Sequence, residues 1–339
     1  MSAALLLTRA DVERLLTPDA CIAAVEDAFR ALALGKVAAP GILGLHGEAG
    51  SFHVKAGFLA DDRPYFAAKL NANFPGNGER GLPTIQGAVM LFDATDGRLL
   101  AVMDSMGITA LRTAAASAVA AKHLARERCE ALLICGCGGQ AQAQLRAILR
   151  VRKPGRIYAY DQATDRAARF ASACAQEAGV EIAPVTDLAR AVAASDLIVT
   201  CTTSRRWFIG RAMVRDGTFI AAVGADNEDK QEIDPQLLAH AKVVTDLTAQ
   251  ACTIGDLHHA IAAGLMTAEG VHAELGEVIA GLKPGRADAD ETIVFDSTGT
   301  GLQDVAAAIA VYRSALRREA GVRFDFAAAG EEIAALPAP

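Results

Sequence analysis

Apolar residues recur at Val12, Leu15 and Leu16, and again at Ile22, Val25, Phe29 and Leu32. Steps of three and four place each set on one helical face, so residues 9–35 read as two amphipathic helices. Thr8-Arg-Ala-Asp11 supplies an N-cap and first turn, and Gly35 a stop. From about 42 to 103 the period falls to two. FHVKAGF, YFAAKLNANF, TIQGAVMLFD and RLLAVMD read as short strands of an antiparallel or mixed sheet, with turns at Pro75-Gly-Asn77 and Thr95-Asp-Gly97. A helix follows from Thr109 to about Ala125.

Beyond it, short runs of continuous apolar residues alternate with helices. ALLICG (131–136), RIYAYD (156–161), EIAPV, DLIVTCT (196–202), TFIAAVG (218–224), KVVTD (242–246) and TIVFDS (292–297) are the strands. AQAQLRAILRV, RAARFASACAQEAG and residues 187–194 are helices between them. Strands buried on both faces and separated by helices make a doubly wound parallel sheet of the α/β class. A last helix, Gln303 to about Glu319, runs back out, and the tail GVRFDFAAAGEEIAALPAP reads as surface. The expected organisation is a discontinuous α+β domain, residues 1–118 plus 305–339, with the doubly wound domain, 119–304, inserted in it.

Composition narrows this picture. A chain of 339 residues suits two domains at ~100–200 residues each. The net charge of −7 and the lack of a basic stripe give nucleic acid no footprint. No apolar run reaches the ~18 residues of a membrane span. The N-terminus lacks the basic segment of a signal peptide, and Asp11 and Glu13 arrive early. Seven scattered cysteines read as reduced thiols of a cytoplasmic protein. Cys135-Gly-Cys137 has no second half, so no metal is expected.

The clearest chemical motif is ICGCGGQAQAQ. Gly136, Gly138 and Ala141 fit G-x-G-x-x-G/A between a strand and a helix. The first glycine makes the turn, the second lets backbone approach a pyrophosphate, and the small third residue lets helix and strand pack closely. Asp161 ends the next strand, where a carboxylate accepts from a ribose 2′-hydroxyl and repels a 2′-phosphate. That points to NAD(H) over NADP(H), with Arg166 softening the exclusion. Thr200-Cys-Thr-Thr-Ser204, Val223-Gly-Ala-Asp226 and Asp296-Ser-Thr-Gly299 fall at the carboxyl ends of later strands, the ligand edge of such a sheet. Asp226 is there either a catalytic carboxylate or part of a solvated loop. Lys55, Lys69 and Arg112 interrupt apolar or small-residue segments. Each is a solvated charge or, if interior, a sign of an anion such as a substrate carboxylate. Alternation puts His53 on the face of Lys55, and Phe52 and Val54 on the other.

The order of motifs resembles the ornithine cyclodeaminase/mu-crystallin family: K-x-N-x-x-x-P-G-N (69–77), GLPTIQG (81–87), LFDATDG, ITALRTAAAS (108–117), GCGGQAQAQ, VGAD, GDL and DSTG. The likeness runs from the N-terminal helices to Val311. It implies a homodimer whose subunits join a substrate and dimerisation domain to a Rossmann domain. Members include cyclodeaminases, ketimine reductases, alanine and arginine dehydrogenases, and a non-catalytic hormone-binding crystallin. By matched motif, the resemblance gives Lys69 and Arg112 the substrate carboxylate, and Lys69 also the reacting nitrogen. It gives Asp226 the acid/base role at the substrate amine. Gly136, Gly138, Gly139, Gln140, Ala141, Asp161 and Arg166 become candidate NAD contacts, with Thr200, Thr202, Val223, Ser297 and Thr298 toward the nicotinamide.

One departure stands out. Many members carry an arginine shortly after the second helix as a further carboxylate ligand, and ungapped matching puts Gly41 there. Lys55 is expected to point inward and supply the missing cation. The altered clamp favours an NAD(H)-dependent interconversion of an L-amino acid and its α-imino acid, such as ketimine reduction. Cyclodeamination of ornithine to proline and a crystallin-like binding role are the alternatives.

Overall fold

The computed structural model describes residues 3–326. Helices Arg9–Leu15 and Pro18–Ala33 lie where the periodicity places them. Thr8 and Asp11 cap the first reciprocally, each side chain accepting from the other's backbone N–H, at 3.2 and 3.1 Å. Gly35 follows the second in the left-handed region at φ 65°.

Strands Gly41–His46, Ser51–Ala60, Pro64–Asn73, Ile85–Asp93 and Leu99–Asp104 pair antiparallel in chain order. Two further strands extend them to a seven-stranded sheet. Ala4–Leu7 runs parallel to Leu99–Asp104, and Val322–Phe324 pairs antiparallel beyond it. Neither was legible: ALLL is too short for a period to emerge, and VRF lies in a segment that reads as surface tail. The rest of that tail, residues 327–339, falls outside the described residues.

The sheet has two unlike faces. Ser51, Lys55, Gly57 and Leu59 turn inward and are buried, whereas Phe52 and Phe58 are exposed with Leu43, Leu45 and Leu70 on the outer face. Helices Ser105–Leu124 and Gly301–Arg317 cover the inner face, Arg9–Leu15 covers its Leu99–Asp104 end, and Pro18–Ala33 packs behind them.

The second sheet has eight parallel strands, in the order Ala273–Glu274, Lys242–Thr245, Ile293–Asp296, Phe219–Ala222, Leu197–Thr200, Ala131–Cys135, Arg156–Tyr160, Ile182–Val185. Strand order reverses beside Ala131–Cys135, which opens a crevice at the carboxyl ends of that strand and Leu197–Thr200. A small parallel pair, Arg205–Ile209 with Gln231–Ile233, flanks this edge.

The two sheets share helices rather than meeting through linkers. Ser105–Leu124 runs through position 118 and packs on Ile85–Asp93 of one sheet and on Phe219–Ala222 and Ile293–Asp296 of the other. Gly301–Arg317 begins before position 305, directly after the DSTG turn, and lies across Ser51–Ala60 and Pro64–Asn73. Both boundaries expected from sequence thus fall inside continuous helices. Apolar periodicity marks a helix but not which sheets it serves.

Gly301 is where that crossing is tightest. A Cβ there would sit 2.5 Å from the carbonyl oxygen of Ala56 and 2.7 Å from its backbone nitrogen. Backbone atoms cannot rotate away, so Gly301→Ala is expected to cost about 1–3 kcal/mol. Gly76, with nothing within 4 Å of its added Cβ, is the contrast, and Gly76→Ala should stay within about 0.5 kcal/mol. Urea denaturation of the two variants measures both.

Candidate active site

At the crevice the glycine turn has the shape a dinucleotide requires. Gly136 adopts φ 94°, and a Cβ on it would lie 2.8 Å from Thr202 Cγ2 and 2.9 Å from the Cys201 carbonyl oxygen. Only glycine makes this turn without strain. Gly138 and Gly139 have nothing within 4 Å of an added Cβ, so the N-terminus of helix Ala141–Val151 faces open space. Ala141 is fully buried, and the buried Gln140 Oε1 has no partner. Asp161 accepts from the Cys137 backbone N–H through Oδ2 and from that of Ala163 through Oδ1, each at 2.9 Å. It therefore fixes the glycine turn as well as offering lone pairs at its rim. Arg166 stands 3.6 Å from it and is half exposed. These residues fit a bound NAD.

The polar strand ends are organised by a residue the sequence did not reveal. Glu232 is fully buried. Its Oε1 accepts from the Thr202 backbone N–H at 2.6 Å and the Thr202 hydroxyl at 2.7 Å; its Oε2 accepts from the Thr200 hydroxyl at 2.6 Å and the Gly224 N–H at 2.8 Å. Thr200 and Thr202 thus spend their hydroxyls on Glu232 and shape the crevice through their backbone. QEID gives no hint of this, because its burial depends on the small flanking sheet. Val223 is buried just before Gly224. Ser297 is buried with its Oγ unpartnered. Thr298 donates to Asp246 Oδ1 at 2.8 Å.

Across the crevice the three cations come together. Lys55 and Lys69 are register partners on adjacent antiparallel strands, so both project from the inner face. Both are buried, as is Arg112 from helix Ser105–Leu124. Their counter-charge is Asp304, 1% exposed, on helix Gly301–Arg317. Lys69 Nζ lies 2.9 Å from each Asp304 oxygen, and Arg112 Nε 3.1 Å from Oδ1. Arg112 also donates to Gln303 Oε1 at 2.7 Å. Gly299, at φ 73°, lets the guanidinium pass: a Cβ there would be 2.4 Å from Arg112 Nη1. Lys55 Nζ donates to the carbonyls of Thr298, at 3.0 Å, and Gly299. Asp304 had a faint signal, a lone acid amid the apolar positions of a helix. The missing arginine is a different matter. Gly41 pairs with Ala56, so a side chain at position 41 would stand on the outer face; the residue opposite Lys55 is Ile42.

Burial drives the Lys69 pKa down to about 7 against the pull of Asp304, with Arg112 and Lys55 adding to the fall. Lys55 is lowered by burial and by Arg112. Burial works to raise Asp304, but Lys69 and Arg112 outweigh it and hold the carboxyl below its usual range. Asp226 sits at the cleft mouth, its side chain 54% exposed, and accepts from Lys230 Nζ at 2.6 Å. Partial desolvation works to raise it, and Lys230 and Lys55 overcome that, leaving it low.

The ornithine cyclodeaminase/mu-crystallin family model matches residues 2–319. The chain belongs to this family. An archaeal alanine dehydrogenase dimer with bound NAD superposes with a TM-score of 0.91 at 40% identity, over 95% of this chain and 99% of that one. The iminosuccinate reductase of Paracoccus denitrificans in complex with NAD+ gives 0.89 at 35% identity, over 96% and 100%. The Thermococcus litoralis Delta(1)-pyrroline-2-carboxylate reductase, in complex with NADH and L-proline, gives 0.89 at 33%, over 94% and 99%.

Within this family site, Asp304→Asn removes the carboxylate that pairs with Lys69 and Arg112. Stability should fall by about 3–5 kcal/mol at pH 6, where Lys69 is charged in the wild-type fold and the variant must either strand that charge or release its proton. The loss should shrink at pH 9, where folded Lys69, with its pKa near 7, is already neutral and only Arg112 is stranded. Urea titrations at the two pH values give the difference.

Proposed function

We propose that Lys69 and Arg112 bind the α-carboxylate of an amino or imino acid and that Asp226 and Lys69 handle the proton on its nitrogen. The enzyme is an NAD(H)-dependent oxidoreductase that interconverts an L-amino acid and its α-imino acid. The observation that carries the residue assignment is the buried Lys69–Asp304–Arg112 cluster, set beside Lys55 and the Thr298–Gly299 turn at the carboxyl edge of the parallel sheet.

Two buried cations sharing one carboxylate keep a surplus positive charge, which a substrate carboxylate neutralises. Held at two points, the substrate has its Cα oriented for transfer rather than tumbling in the cleft. When bound, NAD(H) supplies or accepts the hydride at Cα. Asp226, ionised, attracts an iminium nitrogen and accepts a proton in the oxidative direction. Lys69, with a pKa near neutrality, is suited to donate the proton that the amine nitrogen gains on reduction. Lys230 steadies Asp226 at the mouth. Asp161 favours NAD over NADP at the ribose.

A homodimer is part of this reading. The outer face exposes Leu43, Leu45, Phe52, Phe58 and Leu70 on neighbouring strands, an apolar surface of the kind a second subunit covers. Seven unpaired cysteines suit a reducing cytoplasm. Among the described residues, no helix is long and apolar enough to cross a membrane.

The decisive assay offers pyruvate with ammonium, pyrroline-2-carboxylate, piperideine-2-carboxylate, alanine, ornithine, lysine and arginine with each nicotinamide cofactor. Stoichiometric NADH oxidation by imino acids, without ammonia release from ornithine, is expected. No turnover of any amino or imino acid by cofactor-loaded enzyme would overturn the reading; ammonia from ornithine with no net NADH would make it a cyclodeaminase.

The pH profile tests Lys69 separately. Its ammonium form holds the carboxylate, so 1/KM should be flat below about pH 7 and fall above it, with proton uptake on binding. Lys69→Arg, permanently charged, should abolish that fall while lowering kcat, because the proton donor is gone.

A further inference from the structure

Lys55 is left over once Lys69 and Arg112 have their carboxylate. It is 9% exposed, yet both of its hydrogen bonds go to uncharged carbonyls, those of Thr298 and Gly299. Asp304 pairs with Lys69 and Arg112, and Asp226 pairs with Lys230. An ammonium has three donors, so one N–H of Lys55 remains. Asp226, Asp304 and Asp246 act on Lys55 only from beyond contact distance, and a buried cation with no carboxylate in direct contact is expensive unless an anion joins it in use.

The surface next to Lys55 is polar as well. His53 lies two residues along the same inward face, roughly 6.7 Å away in a strand, opposite Asn71. Asn71 Oδ1 is buried with no partner. The His53 ring is half-buried, held by Ser51 Oγ at 2.9 Å from Nε2 and by the edge of His46 at 5.6 Å between centroids. Gly44, opposite His53 on the edge strand, adds no side chain to crowd this row. An alkyl side chain would gain little from these groups, and a distal ammonium would meet Lys55.

We infer that Lys55 and His53 form a subsite for a second carboxylate, so that the substrate pair is a short dicarboxylic amino acid and its imino acid. This rests on the reading above, in which Lys69 and Arg112 take the first carboxylate. The reaction is unchanged: hydride adds to the C=N carbon, the nitrogen gains a proton, and the second carboxylate keeps its charge throughout.

The test compares NADH oxidation with oxaloacetate plus ammonium, 2-oxoglutarate plus ammonium, pyruvate plus ammonium, and pyrroline-2-carboxylate, correcting for any reduction of the oxo acid without ammonium. One of the two dicarboxylic mixtures should exceed pyruvate in kcat/KM by roughly 10–100-fold, the scale of one hydrogen bond to a charged group. Lys55→Met should erase that advantage mainly through KM, and His53→Gln should reduce it. Succinate should compete at lower concentration than propionate, a binding readout that stands even if the Lys55 variant misfolds. Turnover of pyruvate or pyrroline-2-carboxylate with no dicarboxylate preference would overturn the inference and leave the parent reading intact. Equal losses on every substrate in Lys55→Met would do the same, because Lys55 would then serve the shared carboxylate. Inactivity on all four would sink the parent reading too.

Discussion

Three cations are buried in one crevice, and much of the surrounding structure answers that electrostatic demand. Lys55 and Lys69 face each other across two strands, where like charges repel, and Arg112 joins them from a helix. A single carboxylate, Asp304, arrives on the helix that begins where the second sheet ends. The helix reaches the cations only because Gly301 lets its first turn lie against the backbone of Ala56. Packing of two glycine-lined backbones therefore sets the charge balance of the site. Removing the helix, or the close approach, would leave the lysines to shed protons rather than bind anions.

A second set of buried carboxylates builds the opposite wall. Glu232 gathers Thr200, Thr202 and Gly224. Asp256 accepts from the backbone of Glu232 and Ile233, and Asp296 from that of Asp256 and Leu257. Asp246 accepts from Thr298 and Gly299, the residues whose carbonyls receive Lys55. Each acid ties down the start of the next segment, so the cofactor-side loops and the substrate-side turn are one connected network. Burial and mutual repulsion push Asp256 well up, and Asp296 to about 7. The wall is held by hydrogen bonds to carboxyl groups rather than by ion pairs.

The two faces of the first sheet divide the labour. The inward row carries Ser51, His53 and Lys55, and the outward row Phe52, Val54 and Phe58. One strand thus supplies both a polar binding surface and an apolar surface suited to a second subunit. A slip of one residue in register would exchange them.

The alternating apolar runs and the glycine motif were enough to locate the parallel sheet, its crevice and Asp161, because strand burial and phosphate cradling act through local sequence. Period two likewise set Lys55 and His53 on one face. What the chain could not declare was partnership across distance. Asp304 lies 235 positions from Lys69, and Glu232 lies 32 from Thr200. Nothing in a helix or loop marks which buried base an acid will meet. Two strands at one end of the first sheet, Ala4–Leu7 and Val322–Phe324, were hidden for the same reason: each is too short to show a period and exists only by pairing with a distant segment. Local sequence determined the elements and the chemistry available at their ends. Tertiary packing alone decided which charges are buried together, and with them what the crevice can hold.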